Sequence, residues 1–323
     1  MDISVVDQSP IFTNTDANEA IRHSVDLAKF SDEIGLKRFW VAEHHGSTAF
    51  AGCSPEILIP KIASSTKNIR VGSGGVMLMH YSPYKVAENF RLLESLFPNR
   101  IDLGLGRAPG GDSYQSGALA YGSKTTGPEF FPTKMNDLRS FLANERTETK
   151  SFESVNVTPG LGLIPDTWLL VSSDQGAEYA SFFGLPMSLA YFINQDCLHL
   201  AKKYRENFKP SVFSKEPRVS VALFVICADT EEEARVLSSS ASAWRKNVER
   251  GNFGPFPTCE DALNEIDIYN ETDKSLVGDQ RSIEKKLRKI IDITAADELK
   301  IITICESMQA KKESYKLIKE IFS

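Results

Sequence analysis

The most constraining feature of this chain is a regular alternation of two kinds of segment along its whole length. Short runs rich in β-branched and aromatic residues alternate with longer amphipathic stretches, and no linker divides them into halves. Repeated strand–helix units of this kind are typical of a parallel β-sheet covered by helices. At 323 residues, the chain has the length of one large α/β domain or two small ones.

Eight strand–helix units can be counted. The predicted strands are residues 3–7, 38–43, 69–74, 101–106, 168–171, 188–192, 219–228 and 299–305. Between them, apolar residues recur at helical spacing, and Ser54-Pro55 and Ser82-Pro83 supply an N-cap followed by a proline in the first turn. This order predicts a single α/β domain over residues 1–323, a (β/α)8 TIM barrel. An open doubly wound sheet is the alternative, but no GxGxxG motif follows the first strand.

Two stretches do not follow the alternation. Residues 109–128 are rich in glycine and polar residues and are predicted to form a long loop. Residues 251–275, beyond the seventh strand, are rich in Pro, Gly, Asn and Asp and lack periodicity. We expect this second stretch to be a mobile excursion from the barrel that serves as a lid over the active site.

Charge and composition exclude several classes of function. The chain has 37 Lys and Arg against 43 Asp and Glu, a net charge of −6, which leaves no basic excess for binding nucleic acid or an anionic membrane. The longest nearly apolar stretch, 221–228, is far shorter than the roughly 20 residues that span a bilayer. The five cysteines are scattered and form no CxxC pair. We therefore expect a cytoplasmic protein with reduced thiols.

The second predicted strand ends in a cluster of titratable residues, Glu43-His44-His45. TIM barrels place their active sites at the carboxyl ends of the strands, and these groups suit proton transfer near neutral pH. Structural hydrogen bonding at the barrel rim is the alternative interpretation. A metal site is disfavoured, because neighbouring strand residues point to opposite faces and no HxxxH motif or histidine cluster completes a ligand set. His80, just after the third strand, could approach the same mouth or stabilise a turn.

Three other strand ends carry residues suited to binding an anion or a flat ligand. Arg107 follows the fourth strand among small residues, where a guanidinium can grip a phosphate or form a plain ion pair. Ser172-Ser173 and Gly176 precede a predicted helix, whose free N–H groups and dipole favour negative charge. Gly74-Gly75 closes the third strand, where glycines permit close approach of a ligand. Most phosphate-binding TIM barrels use the loops after strands seven and eight instead.

A family resemblance explains this unusual placement. The run Arg38-Phe39-Trp40-Val41-Ala42-Glu43-His44-His45 resembles the bacterial luciferase-like flavin monooxygenases, in particular a small single-component branch without a defined substrate. Further blocks that resemble the family lie in order at 51–56, 71–78, 80–83, 85–88, 102–110, 168–185 and 297–314. Together the blocks are highly specific and extend over most of the chain.

The resemblance implies a TIM barrel that binds FMN, with the reduced form supplied by a separate flavin reductase. Reduced FMN would react with O2 to form a flavin 4a-hydroperoxide that oxidises a small organic substrate. The cofactor carries this chemistry, whereas the protein positions it and shields it from water. The resemblance further implies a homodimer formed through the early helices, with residues 57–63 and 86–96 as the main contributors.

The resemblance also assigns residues by motif position. Arg107, Ser172-Ser173 and the backbone of Gly176 would hold the phosphate, and Gly74-Gly75, joined by a cis peptide, would lie under the isoalloxazine ring. Glu43-His44 would face its reactive edge. We expect His44 to transfer a proton or stabilise the peroxide, with Glu43 tuning its charge or fixing neighbouring backbone. Strand alternation then turns the next histidine elsewhere.

Three other functions remain open at this point. A deazaflavin-dependent enzyme that transfers hydride would use the same cleft, because related barrels bind that cofactor there. A non-catalytic flavin-binding or storage protein would need the same phosphate grip and glycine floor. A metal-dependent hydrolase built on the two adjacent histidines is a distant option. The substrate and the oligomeric state are not specified by these patterns.

Overall fold

The computed structural model describes residues 1–160, 162–269 and 275–323. The described residues form nine strands: β1 (Asp2–Asp7), β2 (Arg38–Val41), β3 (Arg70–Met77), β4 (Ile101–Gly106), β5 (Asp166–Val171), β6 (Met187–Ala190), β7 (Val219–Ala228), β8 (Leu276–Asp279) and β9 (Glu298–Ile302). Strands β1 to β7 pair in parallel in chain order, β7 pairs with β9, and β9 pairs with β1. These pairings close a ring of eight strands, which confirms the predicted TIM barrel.

Helices cover the outside of the ring. They are α1 (Ala17–Glu33), α2 (Pro55–Ser65), α3 (Pro83–Leu96), α4 (Ser113–Ala120), α5 (Phe131–Ala143), α6 (Asp174–Phe183), α7 (Leu200–Asn207), α8 (Glu231–Glu249), α9 (Cys259–Glu265), α10 (Gln280–Thr294) and α11 (Met308–Ile321). Side-chain caps define several of their starts: Asp16 accepts from the backbone of Glu19 in α1, and Thr230 accepts from Glu233 in α8. In the described residues, no helix is both long enough and apolar enough to cross a membrane.

The two irregular stretches contain more structure than their composition predicts. Helix α4 lies within the predicted loop 109–128 and begins at a capping box formed by Asp112 and Gln115. Helix α9 lies within the predicted excursion 251–275, residues 270–274 of which lie outside the described residues. Phe256 is also buried there and exchanges backbone hydrogen bonds with Ile11 and Thr13. The prediction that this stretch is irregular and mobile is therefore wrong for residues 256–265.

Strand β8 is absent from the sequence-based prediction. It pairs only with the last residues of β7, from Val225 to Ala228, and lies outside the closed ring. Other differences are shifts of strand boundaries: β2 ends at Val41 and β3 continues to Met77. The longer β3 carries Gly74-Gly75 inside the strand, where its pairing with β4 shifts register.

The inside of the barrel is charged at the amino-terminal ends of its strands. The Arg38 guanidinium hydrogen-bonds Asp102 at 2.9 Å, Asp166 at 3.0 Å and Glu298 at 3.0 Å. All four side chains come from different strands and lie almost entirely out of water. Above this layer, Trp40 and Trp168 pack edge to face. The aromatic layer separates the charged layer from the carboxyl ends of the strands, where the cavity lies.

Candidate active site

A cavity of about 770 Å³ opens at the carboxyl ends of β1 to β6. Its volume is in the range of pockets that enclose a drug-sized ligand. Helix α4 and the residues that follow it form one wall, through Ser116, Gly117 and Ala120. The predicted site residues that line the cavity are Glu43, His44, Gly74, Gly75, Arg107 and Ser172. One cavity therefore brings together residues from four separate strand ends.

Arg107 is held at one end of the cavity by contacts on several sides. One guanidinium nitrogen donates to the amide oxygen of Gln175 at 2.7 Å, and another donates to the Ser173 hydroxyl at 2.9 Å. The guanidinium carbon lies 5.7 Å and 5.6 Å from the ring centroids of Phe131 and Tyr179. Cation–π contact and hydrogen bonds together fix the charge at the cavity wall. No carboxylate in the described part of the chain is paired with Arg107, so the ion-pair alternative is not what the structure shows.

The amino terminus of α6 lies directly beside this arginine. Ser173 is its N-cap, and the hydroxyl accepts from the Gly176 backbone at 3.4 Å. Asp174, the first residue of the helix, is exposed, and its carboxylate is paired with Lys203 at 2.9 Å. Its negative charge is thereby compensated on the outer side of the helix. The first turn of α6, the Ser173 hydroxyl and the Arg107 guanidinium together form the kind of site that binds a phosphate, although the Gly176 N–H is bonded to Ser173 here.

The glycines of β3 form a flat floor for the cavity. The peptide bond between Gly74 and Gly75 is cis, as the family resemblance implies. A Cβ atom on Gly75 would lie 2.7 Å from the Gly104 carbonyl oxygen, and one on Gly74 would lie 3.1 Å from the Cβ of Trp40. Side chains are excluded here because the backbone is pressed against the barrel wall. A planar ligand can therefore approach the main chain closely.

The Glu43 carboxylate is fully buried and its oxygens are occupied. One oxygen accepts from the Tyr81 hydroxyl at 2.7 Å and lies 2.8 Å from His45 Nε2, and the other accepts from the Met77 backbone at 3.1 Å. Burial, together with the hydrogen bond to Glu43, raises the pKa of Tyr81 above its ordinary value. Among the described contacts of Glu43, none joins it to His44. The carboxylate thus fixes the backbone at the end of β3, which is one of the two roles expected for it.

His44 lines the cavity, and one nitrogen of its ring is buried without a hydrogen-bond partner among the described residues. Its ring stacks on Phe50 with centroids 4.4 Å apart, and its Nδ1 atom is buried without a hydrogen bond to any described residue. Burial, with a smaller contribution from His45, lowers the pKa of His44 to about 4. The imidazole is therefore neutral at pH 7. A neutral imidazole at a cavity wall can hydrogen-bond or exchange a proton with a ligand that binds there.

Of the other histidines, one lines the cavity and three do not. His80 lines the same cavity, and its Nε2 donates to the Pro109 carbonyl oxygen at 2.7 Å, which leaves Nδ1 without a partner among the described residues. His45 does not line the cavity. His23 and His199 also lie outside it. Across the described residues, no group of three or more His, Cys, Asp or Glu side chains is arranged to hold a metal ion.

Two residues that support the site were not identified from the sequence. Tyr81 bonds Glu43, as described above, and Lys134 of α5 donates to the carbonyl oxygens of Met79 and Tyr81 at 2.8 Å and 3.0 Å. Burial lowers the pKa of the Lys134 ammonium. These contacts fix the turn that follows β3. The available signal was a lysine on the apolar face of a predicted helix, a position that calls for a polar partner.

Comparison with known proteins identifies the family. A family model described as luciferase-like monooxygenase matches residues 1–275. The N-acetyl-S-alkylcysteine monooxygenase of Bacillus subtilis (strain 168) is 32% identical over 325 residues, which cover 98% of this chain and 97% of that protein. The crystal structure of apo-MsnO8 superimposes with a TM-score of 0.92 at 34% identity and covers 99% of this chain and 98% of that one.

A more distant structure shares the fold. The oxygenating constituent of 3,6-diketocamphane monooxygenase from Pseudomonas putida, a type II Baeyer–Villiger monooxygenase solved in complex with FMN, superimposes with a TM-score of 0.73 at 17% identity. It covers 98% of this chain and 96% of that chain. From the extent of the family match and the identity to full-length relatives, the chain belongs to the luciferase-like monooxygenase family.

Proposed function

We propose that this protein is an FMN-dependent monooxygenase that uses reduced FMN and O2 to oxidise a small organic substrate. The observation that carries the proposal is the content of one cavity. It holds an arginine beside a helix N-terminus, a flat glycine floor, and a neutral histidine with an unpartnered nitrogen. These three features suit the phosphate, the ring system and the reacting edge of a flavin mononucleotide.

The described residues fit this cofactor. Arg107 and Ser173 already hydrogen-bond each other, so a phosphate would replace the Gln175 contact and accept from a preformed grip. Gly74-Gly75 would support the ring, and Ser172 also lines the cavity. Bound reduced FMN would supply the electrons and activate the oxygen. A separate flavin reductase, as in the family resemblance, would supply the reduced form.

The protein's own contribution is to exclude water and manage protons. Part of the cavity lining is apolar and includes Val6, Leu170 and Phe192. We assign His44 the role of hydrogen-bonding or exchanging a proton with the oxygen that is transferred, because its neutral imidazole lines this cavity. Glu43 holds the end of β3, and through it the glycine floor, in position. A small, largely apolar substrate suits the remaining walls.

Anaerobic titration of the purified protein with FMN, reduced FMN and a deazaflavin tests the cofactor. We expect FMN in at least one redox state to bind and the deazaflavin not to compete. Oxygen consumption with reduced FMN is then measured with candidate substrates, beginning with N-acetyl-S-alkylcysteines, against an enzyme-free control. Hydride transfer to a bound deazaflavin, or FMN binding without substrate-dependent oxygen use, would support the two alternative functions instead.

Arg107→Ala is expected to weaken FMN binding at least tenfold. A charge-assisted bidentate contact contributes roughly 1.5 to 3 kcal/mol, and the variant removes it together with the support for Ser173. Equilibrium dialysis or fluorescence titration gives the dissociation constant. Arg146→Ala is the matched control, because Arg146 is 74% exposed and pairs with Glu153 away from the cavity. Equal affinity of the Arg107 variant and the parent protein would rule out this phosphate site.

We also propose a homodimer formed through α2 and α3. These neighbouring helices expose apolar side chains, with Ile57 72% exposed, Leu92 52% exposed and Leu96 58% exposed. Light scattering at micromolar concentration is expected to give twice the 35.9 kDa mass of one chain. Ile57→Asp should lower that mass, because a carboxylate at an apolar interface loses its hydration. Ile293→Asp, at a half-exposed apolar position on α10, is the control, and a monomeric parent protein contradicts the proposal.

A further inference from the structure

Lys300 of β9 is a fully buried cation inside the barrel. Its ammonium nitrogen lies 3.8 Å from the centroid of the Trp40 ring and 3.9 Å from that of the Trp168 ring. It donates a hydrogen bond to the Ser220 hydroxyl at 2.6 Å. Two indole faces and one hydroxyl therefore surround the charge. None of the catalytic roles assigned above uses this residue.

The charge of Lys300 is only loosely paired. Glu298 is the carboxylate within 4 Å of it among the described residues, and the Nζ–Oε1 distance of 3.7 Å exceeds a hydrogen bond. The other Glu298 oxygen accepts from Arg38, which also binds Asp102 and Asp166. Asp102 is further paired with Arg70 and Asp166 with Arg218, so three guanidiniums balance the three carboxylates without Lys300. Indole faces attract a cation through their quadrupole but carry no net charge to cancel it. The field of the ammonium therefore extends beyond its immediate neighbours.

The Lys300 ammonium lies beneath the cavity floor, with the Trp40 ring between them. A Cβ atom on Gly74 would lie 3.3 Å from Cε3 of the Trp40 ring, so one indole separates Lys300 from the floor. The pairing register of β1 and β9 also indicates how far Lys300 lies below the floor. Lys300 is level with Ser4 of β1, and Val6, two residues further along that strand, lines the cavity. At about 3.3 Å per residue, the floor is roughly 7 Å above the level of Lys300.

We propose that Lys300 acts as a buried counter-charge that makes the flavin site bind reduced FMN more tightly than oxidised FMN. The inference rests on the proposed function. Reduced flavin loses a ring proton near neutral pH and carries a negative charge on the ring that oxidised flavin lacks, and charges near the ring alter the balance between the two forms. Inside a protein, a cation at this separation acts with little screening. Such a preference would retain the reduced cofactor delivered by a reductase and release the oxidised product.

Lys300→Met tests the proposal, because methionine has a similar length and no charge. Dissociation constants for oxidised and chemically reduced FMN are measured anaerobically at pH 7.5. We expect the preference for reduced FMN to fall about tenfold, with the affinity for oxidised FMN within about twofold of the parent protein. Lys286→Met on α10, which removes one half-buried ammonium bonded to the Val277 carbonyl oxygen outside the barrel, should leave both constants unchanged.

The pH dependence of the two FMN dissociation constants of the parent protein gives a second test that needs no variant. Burial lowers the pKa of Lys300 to about 8, against the opposing effect of Glu298 and with Arg38, Asp102 and Asp166 also facing it. Reduced FMN stays anionic above this pH, so its preferential binding should weaken between pH 7.5 and 9.5 as the ammonium loses its proton. Lys300→Met should show no such change.

The outcomes separate the two levels of inference. If Lys300→Met binds FMN with the parental ratio of dissociation constants for oxidised and reduced FMN, the role of Lys300 is overturned and the proposed function still stands. If the variant does not fold, the role is overturned equally by a ratio of the two dissociation constants that stays constant between pH 7.5 and 9.5 in the parent protein. Failure of FMN to bind in either redox state overturns the proposed function and this inference together.

Discussion

His44→Ala is expected to reduce substrate oxidation by 10²- to 10⁴-fold while FMN binding stays within a few fold. A side chain that transfers a proton or stabilises developing charge contributes an effect of this size to the rate and little to cofactor affinity. His44 lines the cavity, whereas the phosphate grip is centred on Arg107. Removing the imidazole should therefore divert reduced flavin to release of hydrogen peroxide.

The measurement is the ratio of oxidised substrate to oxygen consumed, with hydrogen peroxide determined in parallel. His45→Ala is the matched control, since this neighbouring imidazole bonds Glu43 and does not line the cavity. The control should lose stability, because the buried Glu43 carboxylate then keeps only Tyr81 and the Met77 backbone among its described partners, and should lose much less coupling. Full coupling at the parental rate in His44→Ala would falsify the catalytic role. Glu43-His44-His45 would then be interpreted as a group that forms structural hydrogen bonds at the barrel rim.

The lowered pKa of His44 adds a pH dependence to this prediction. With a folded-state value of about 4 and an ordinary value near 6.5, the unfolded chain takes up the proton first as the pH falls. This residue therefore destabilises the fold progressively between about pH 6.5 and 4, and His44→Ala should lessen that loss of stability. Because the imidazole is neutral throughout this range until about pH 4, activity should not decline near pH 6.5 through its protonation.

The barrel and much of the candidate site could be predicted because both depend on local sequence. The short β-branched runs mark the strands, and the carboxyl ends of those strands converge whatever the details of packing. Strand alternation likewise predicts that His45 points away from His44, and His45 bonds Glu43 and does not line the cavity, whereas Glu43 and His44 both line it. The Gly74-Gly75 cis bond came from the family resemblance and not from any local rule.

Features that depend on distant contacts could not be predicted in this way. Arg38 meets Asp102, Asp166 and Glu298 across 64, 128 and 260 residues, so their pairing exists only after the ring closes. Helix α4 is different, because its capping box at Asp112 was visible in the sequence but was outweighed by the glycine content around it. Local signals were thus sufficient for the eight strands of the ring, and insufficient for β8 and for the charged interior.

That charged interior gives the largest expected effect on stability. Arg38→Met is expected to lower the free energy of unfolding by about 3 to 5 kcal/mol at pH 7, the range typical when one member of a buried ion pair is removed. Asp102, Asp166 and Glu298 would each lose a hydrogen-bonded guanidinium while remaining out of water. Chemical denaturation followed by circular dichroism measures the change, with exposed Arg146→Met as a control expected to shift stability by less than about 0.5 kcal/mol.

The effect of Arg38→Met should shrink as the pH falls. Burial raises the pKa of Asp166, but its hydrogen bond with Arg218 and the charge of Arg38 outweigh burial, so the folded-state pKa lies below the ordinary value. Such a group stabilises the fold above its unfolded pKa and loses that contribution as the pH falls towards the folded value. Without Arg38, Asp166 and Glu298 lose a cation that lowers their pKa, so they can take up protons at higher pH, which relieves the repulsion among the buried carboxylates. We therefore expect the parent and variant stabilities to converge below about pH 4, and a difference that is absent at pH 7, or that widens on acidification, would contradict the assigned role of Arg38.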